Sequence, residues 1–235
     1  MKIPTLQGII DRRILINFTA DPTTVQKVLP SPFRPKLYEG QAIVGICLIR
    51  LKKVRPKGFP EFLGLSSENG AHRFAVEWEE KGQVKGGVYI PRRDTSLRFN
   101  AWVGGRLFPG THHLAQFNVQ ESDKKYHVDF HSSDNTTISF DGRETNQLDP
   151  HSIFQTLENV SDFFEKGDVG YSPNKNKFEG LQLQAYTWKV RPLEVSNVNS
   201  SFFENVRLFP KGSIKFDNAL VMTEIEHEWH SVTNK

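Results

Sequence analysis

The chain has 235 residues, 37% of them hydrophobic and 24% charged, with 18 Phe and 4 Trp. That is length and bulk enough for a core that needs no covalent staple. A net charge of +3 is too slight to predict nucleic-acid binding, and one cysteine, Cys47, excludes an intramolecular disulfide and any Cys-based zinc site. The first residues, MKIPTLQGIIDRR, lack a signal-peptide core, and no apolar run reaches membrane-span length. A cytoplasmic protein with no membrane partner is therefore expected.

In chain order, RRILINF (12–18) has the β-branched, apolar character of a strand. Asp21 and Pro22 then open a short helix, as N-cap and first helical residue. Pro30, Pro32 and Pro35 end it by removing backbone donors. After a turn at Glu39 and Gly40, QAIVGICLIRLKKV predicts a long strand, with too long an apolar run for one buried face. HRFAVEWEE alternates with Phe74, Val76 and Trp78 on one face, and Gly82 with Gly86 and Gly87 marks a hairpin return into VYIP. Asp94 resembles a helix start, with Leu97 and Ala101 four apart and Gly104 and Gly105 as the stop.

Three strands follow in HHLAQFNVQ, KYHVDFHSS and TTISFDGR. Asp149 and Pro150 announce a second helix carrying Phe154, Leu157, Val160 and Phe164, and GLQLQAYTWKV and ALVMTEIEHEW return to strand. No repeat, low-complexity tract or linker interrupts this order. The fold class expected is α+β, strand-dominated, in a single domain over 1–235.

Most chemical signatures are absent: there is no phosphate loop, no dinucleotide fingerprint and no GxSxG elbow. Cys47 sits in an apolar strand without a basic sequence neighbour, which suits a packing residue better than a nucleophile. His127, Asp129 and His131 share one strand face and would suit a divalent metal, but a solvated outer face is the better reading, so no metal or other cofactor is expected. Glu224, Glu226, Glu228 and His230 near the C-terminus read as surface as well. The basic loop of Lys52, Lys53, Arg55 and Lys57 reads as a solvated turn rather than a nucleic-acid contact. His112 and His113 are adjacent, so on a strand they point to opposite faces, and at most one readily enters a given pocket. Spacing alone favours one core-facing and one solvent-facing imidazole.

The succession "VLPSPFRPKLYEGQAIVGICLIRLKKVRPKGFP", "GGVYIPRRD", "GGRLFPGTHHLA", "DFFEKGDVGYS" and "LQAYTWKVRPLEV" resembles the YqjF-like family of uncharacterised proteins in the acetoacetate decarboxylase-like superfamily. The resemblance runs in order from about residue 11 to about residue 195. It implies a curled sheet forming a partly closed β-barrel or cone, flanked by a few helices, around an enclosed pocket. Decarboxylases of this superfamily carry two adjacent lysines, one of which forms a Schiff base with a β-keto acid. Here that pair falls on His112 and His113, and an imidazole cannot form an imine that serves as an electron sink. The resemblance also implies a carboxylate-gripping arginine on the first strand, at Arg12 or Arg13. A pocket acid is implied too, for which Glu77 is the candidate.

The expected function is therefore binding of a small, acidic organic molecule in the barrel without Schiff-base decarboxylase activity. His112 and His113 are the catalytic candidates, and Arg12, Arg13 and Glu77 the ligand-binding ones. Two other readings stand beside it: an enzyme of another reaction type using His112 or His113 as acid/base, and a structural or regulatory module whose barrel is filled by Phe and Trp. Exposed strand edges leave room for a homo-oligomer.

Overall fold

The computed structural model describes residues 4–98, 110–174 and 177–232. The first strand, β1 (Leu6–Ala20), is longer than its apolar stretch suggests because it lies between two partners over nearly its whole length. Helix α1 (Pro22–Val28) begins as expected, with the Asp21 carboxylate accepting from the Thr24 amide at 2.6 Å. Two short strands, β2 (Arg34–Pro35) and β3 (Leu37–Tyr38), lead to β4 (Gln41–Pro56). Strand β5 (Leu65–Glu80) and β6 (Gln83–Thr95) form a hairpin. Its two-residue turn, Lys81 and Gly82, has positive φ at both positions, which matches the twist of the flanking strands. Gly86 and Gly87 lie inside β6 rather than in the turn.

Next come β7 (His112–Ser122), β8 (Lys125–Ser132) and β9 (Thr137–Glu144) at the three expected places. Helix α2 (Leu157–Glu165) is followed by β10 (Val169–Asn174), β11 (Lys177–Ala185), β12 (Arg191–Ser200) and β13 (Ile214–Val232). Among the described residues, no helix is long and apolar enough to cross a membrane.

Two helix starts differ from expectation. Strand β6 runs through Asp94 to Thr95, because the Asp94 carboxylate is held by Arg92 and Thr95 pairs with both Asn69 and Leu114. The rest of that expected helix, from residue 99 onward, lies outside the described residues. Helix α2 starts at Leu157, not near Asp149. The Asp149 carboxylate closes a local turn onto the His151 amide, and Gln155 adopts a left-handed φ of 62° that no helix continues through. Thr156 caps the helix instead, accepting from the Asn159 amide at 3.1 Å.

Among the described residues the strands form one 13-stranded sheet that forks. On one edge of β6, Val88 and Tyr89 pair with β10, whereas Arg93 to Thr95 pair with β7. Strand β13 divides likewise: Ala219 to Val221 pair with β12, and His227 to Val232 with β11. Two circuits of paired strands result, sharing β13, β1, β4, β5 and β6. One returns through β10 and β11, the other through β7, β8, β9 and β12. The sheet is thus curled and partly ring-closed, with helices on its flanks.

The fork explains the long apolar run of β4. Its strand belongs to both circuits, so both faces are covered, and Ala42 to Leu48 are buried without alternation. One face joins Ile14, Ile16, Val44, Ile46 and Phe74 to aromatic packing from Phe130, Phe140, Phe203 and Phe209. The other joins Leu15, Cys47, Leu51 and Ala75 to Phe154, Phe163 and Phe164 around α2. Each such aliphatic side chain contributes about 1.5–3 kcal/mol on burial. The second face also borders a cavity.

Candidate functional site

On the α2 side of the shared sheet lies a cavity of about 410 Å³, within the range that small organic ligands occupy. Its floor follows strand register. Leu15, Cys47, Ala71, Arg93 and His112 form one continuous cross-strand row over β1, β4, β5, β6 and β7, and all five line the cavity. Phe163 and Phe164 of α2, with Trp188 and Trp229, supply apolar wall.

Three arginines line it as well: Arg13, Arg73 and Arg93. A bulge places the first. The β1–β4 register shifts between Ile10 and Arg12, which resets the alternation so that Arg13 and Leu15 face the cavity. Arg73 stands in the next row, where Asn17, Gly45 and Arg73 are in register. Gly45 has no side chain, so the Arg73 guanidinium lies across β4 and its Nη2 donates to Asn17 Oδ1. The chain of hydrogen bonds continues from Asn17 Nδ2 to Asn218 Oδ1 (2.7 Å) and from Asn218 Nδ2 to Asp217 Oδ2 (2.6 Å). The Arg73 guanidinium also sits 4.5 Å from the centre of the Phe164 ring. Arg93 donates from Nε to Ser172 Oγ at 3.2 Å.

None of these three guanidiniums forms an ion pair with a carboxylate among the described residues. The Nε atoms of Arg13 and Arg73 are buried with no hydrogen-bond partner among the described residues. Burial pulls both Arg73 and Arg93 down to about 10, Arg13 adding to the effect on Arg73, so both remain cations at neutral pH. Lys36 lies at the same cavity, its ammonium 4.3 Å over the Phe163 ring. Its pKa is lowered by burial and by Lys166, against an opposing Glu77.

The five residues singled out from sequence divide between the two faces. Arg13 and His112 line the cavity. Arg12 is on the opposite face, 1% exposed, bound to Glu68 Oε2 at 2.6 Å and Glu121 Oε1 at 2.5 Å. His113 is also on that face, its Nδ1 3.6 Å from Asp134, in a network that Arg92 and Asp94 complete. Glu77 lies beyond the cavity lining, paired with Arg34 at 2.8 Å on the β2–β5 edge.

Sequence reasoning missed Arg73, Arg93 and Lys36, and took Cys47 to lack a basic neighbour. Its basic neighbours are Arg73 and Arg93, brought close by register rather than by sequence. The available signal was a cation within an otherwise apolar alternation, at Arg73 between Ala71 and Ala75.

Outside the cavity, no group of His, Cys, Asp and Glu among the described residues is arranged to hold a metal. The His127 imidazole instead bridges Asp141 at 2.7 Å and Asp129 at 2.9 Å on the outer face of β8. Lys52, Lys53 and Lys57 of the basic loop are ion-paired with Asp11, Glu61 and Glu228. Glu228 is therefore no solvated end residue: it is buried, and also accepts from the Tyr186 hydroxyl at 2.7 Å.

The forked, partly ring-closed sheet has the acetoacetate decarboxylase-like fold. The chain superposes on acetoacetate decarboxylase from Legionella pneumophila with a TM-score of 0.64 at 13% identity, covering 99% of this chain and 88% of that one. An acetoacetate decarboxylase-like enzyme from Sphingomonas wittichii gives 0.61 at 8% identity, covering 100% and 93%. The enduracididine biosynthesis enzyme MppR, in complex with pyruvate, gives 0.56 at 9% identity, covering 100% and 91%. At these identities the likeness is one of fold. No curated protein matches the chain in sequence. By its sequence over residues 10–222, the chain belongs to the DUF2071 family of uncharacterized conserved proteins.

Proposed function

We propose that the protein binds a small organic carboxylate in this cavity and does so without Schiff-base chemistry, as a YqjF-like member of its superfamily. The observation that carries the reading is the set of three buried or half-buried guanidiniums, Arg13, Arg73 and Arg93, without carboxylate partners among the described residues. Uncompensated buried charge is costly, and an anionic occupant removes that cost. Pyruvate is bound by the structurally similar MppR, which supports a ligand of this size and charge.

The absence of imine chemistry is supported by imidazoles where the resemblance places a lysine pair. Lys36 is the competitor, since its pKa is lowered. Borohydride reduction in the presence of acetoacetate is expected to leave the mass of the protein unchanged; an adduct on Lys36 would refute this part of the reading. The carboxylate requirement is tested by thermal unfolding with millimolar acetoacetate or acetone. The midpoint should rise with the acid and stay put with the neutral ketone, and equal responses would count against an anion site.

A second reading, catalysis of another reaction type, is favoured by the position of His112 beside Arg93 in the floor row. An imidazole there could exchange a proton with a bound acid while the arginine fixes its carboxylate. Ligand-dependent movement of the His112 ring resonances in NMR would support it, and resonances unmoved at saturation would remove it.

A further inference from the structure

We propose that the cavity is built for a dicarboxylate, with one carboxylate held by Arg13 and Arg73 and the second by Arg93 beside His112. The inference rests on the carboxylate-binding reading and narrows it. A monocarboxylate would leave more than one of the three guanidiniums without a counter-charge. The acids at the lining do not supply one. Asp94 is committed to Arg92 through two hydrogen bonds of 2.9 and 2.6 Å. Glu165 and Asp168 are exposed, and Asp168 accepts from Gln182 at 2.8 Å.

Register and side-chain reach together separate the cations into two sets. Arg13 is two residues along β1 from Leu15, and Arg73 two residues along β5 from Ala71. Both lie diagonal to Cys47 but on opposite sides of it, Arg13 opposite Ile49 and Arg73 opposite Gly45, and it is the Arg73 side chain, reaching across β4 to Asn17, that carries its guanidinium to β1, the strand of Arg13. They are close enough for Arg13 to depress the Arg73 pKa. Arg93 stands in the Cys47 row itself but two strands away, on β6, at about 4.8 Å per strand. The floor between the two sets includes Cys47 and Ala71, small side chains that leave room for a short carbon body. Two anionic groups joined by a few methylenes match this layout. One centre carrying two charges does not.

Calorimetric titration with succinate, glutarate and adipate, against butyrate, valerate and hexanoate, tests this. At least one diacid should bind tenfold or more tighter than the monoacid of equal carbon number. Arg93→Gln should abolish that advantage, weakening diacids at least tenfold more than monoacids, and Arg93→Lys should restore part of it; should Arg93→Gln fail to fold, the wild-type series and Arg93→Lys still decide. Diacids no tighter than monoacids would overturn the inference and leave the carboxylate reading standing. Inorganic phosphate binding as tightly as the best diacid would also overturn it, since separated charges would then be unnecessary. No binding by any of these acids would remove both.

Discussion

Lowering the pH from 7 to 5 should destabilise the fold by on the order of 2 kcal/mol through each of two histidines, His72 and His227. His72 is fully buried, with the Phe202 ring centre 4.5 Å away and Ser200 Oγ 3.0 Å from Nε2. Burial drives its pKa down to about 3, with Arg92 adding to the effect. His227 is 1% exposed, its ring 4.2 Å from that of Trp229, and burial takes it to about 4. The unfolded chain takes up protons near pH 6.5 that the folded chain refuses. Their contribution is therefore whole above that pH and is lost as the pH falls toward the folded values. Carboxylates such as Asp134 and Glu228, whose pKa values are lowered by their partners, lose their contribution only at lower pH. His127, raised chiefly by its hydrogen bond to Asp141, acts in the opposite sense: its small contribution is present below pH 6.5 and fades as the pH rises through its folded pKa. Urea midpoints at pH 7 and 5 measure the difference. In His227→Leu the loss should shrink by about half, and an unchanged loss would show that His227 is not buried neutral.

Gly45→Ala is the second change expected to have a large effect. A Cβ at this position would stand 2.3 Å from the Ile16 carbonyl oxygen on the adjacent strand and 3.3 Å from Arg73 Nη2. Backbone of a central strand cannot give way cheaply, and overpacking of this kind costs about 1–3 kcal/mol. Displacing Arg73 would also break its bond to Asn17, which is buried and would lose a partner for another 1–3 kcal/mol or so. Gly86→Ala is the control, because its Cβ would meet only the Val76 carbonyl at 3.9 Å. Denaturant midpoints should separate the two variants by more than 2 kcal/mol or so. Equal midpoints would mean that Arg73 does not need Gly45.

The elements were largely legible because hydrophobic period and turn chemistry act locally. Asp21 with Pro22, the hairpin glycine Gly82, and the three-strand succession from His112 all declare themselves within a few residues. Helix α2 did not, since the left-handed residue Gln155 cancels the signal at Asp149, and nothing in the type of residue 155 announces a positive φ. The site was legible only in part. The choice between Arg12 and Arg13 depends on a bulge after Ile10, and a bulge is decided by the pairing partner rather than by the strand itself. Arg73, Arg93 and Cys47 are up to 46 residues apart and meet only through register across β4, β5 and β6. The double burial of β4 follows from the fork in the sheet, which no single segment encodes. Phe130, Phe140, Phe203 and Phe209 pack against one face of that fork, and the cavity borders the other.

Anion binding by the cavity arginines is the central claim, and calorimetric titration of acetoacetate into the wild type and into Arg13→Gln/Arg73→Gln tests it most directly. Removing both guanidiniums should weaken binding at least a hundredfold, about 2.7 kcal/mol, while Arg12→Gln, on the opposite face, should alter affinity by less than threefold whatever it does to stability. Equal affinity in the wild type and the double variant, with both folded, would contradict the account.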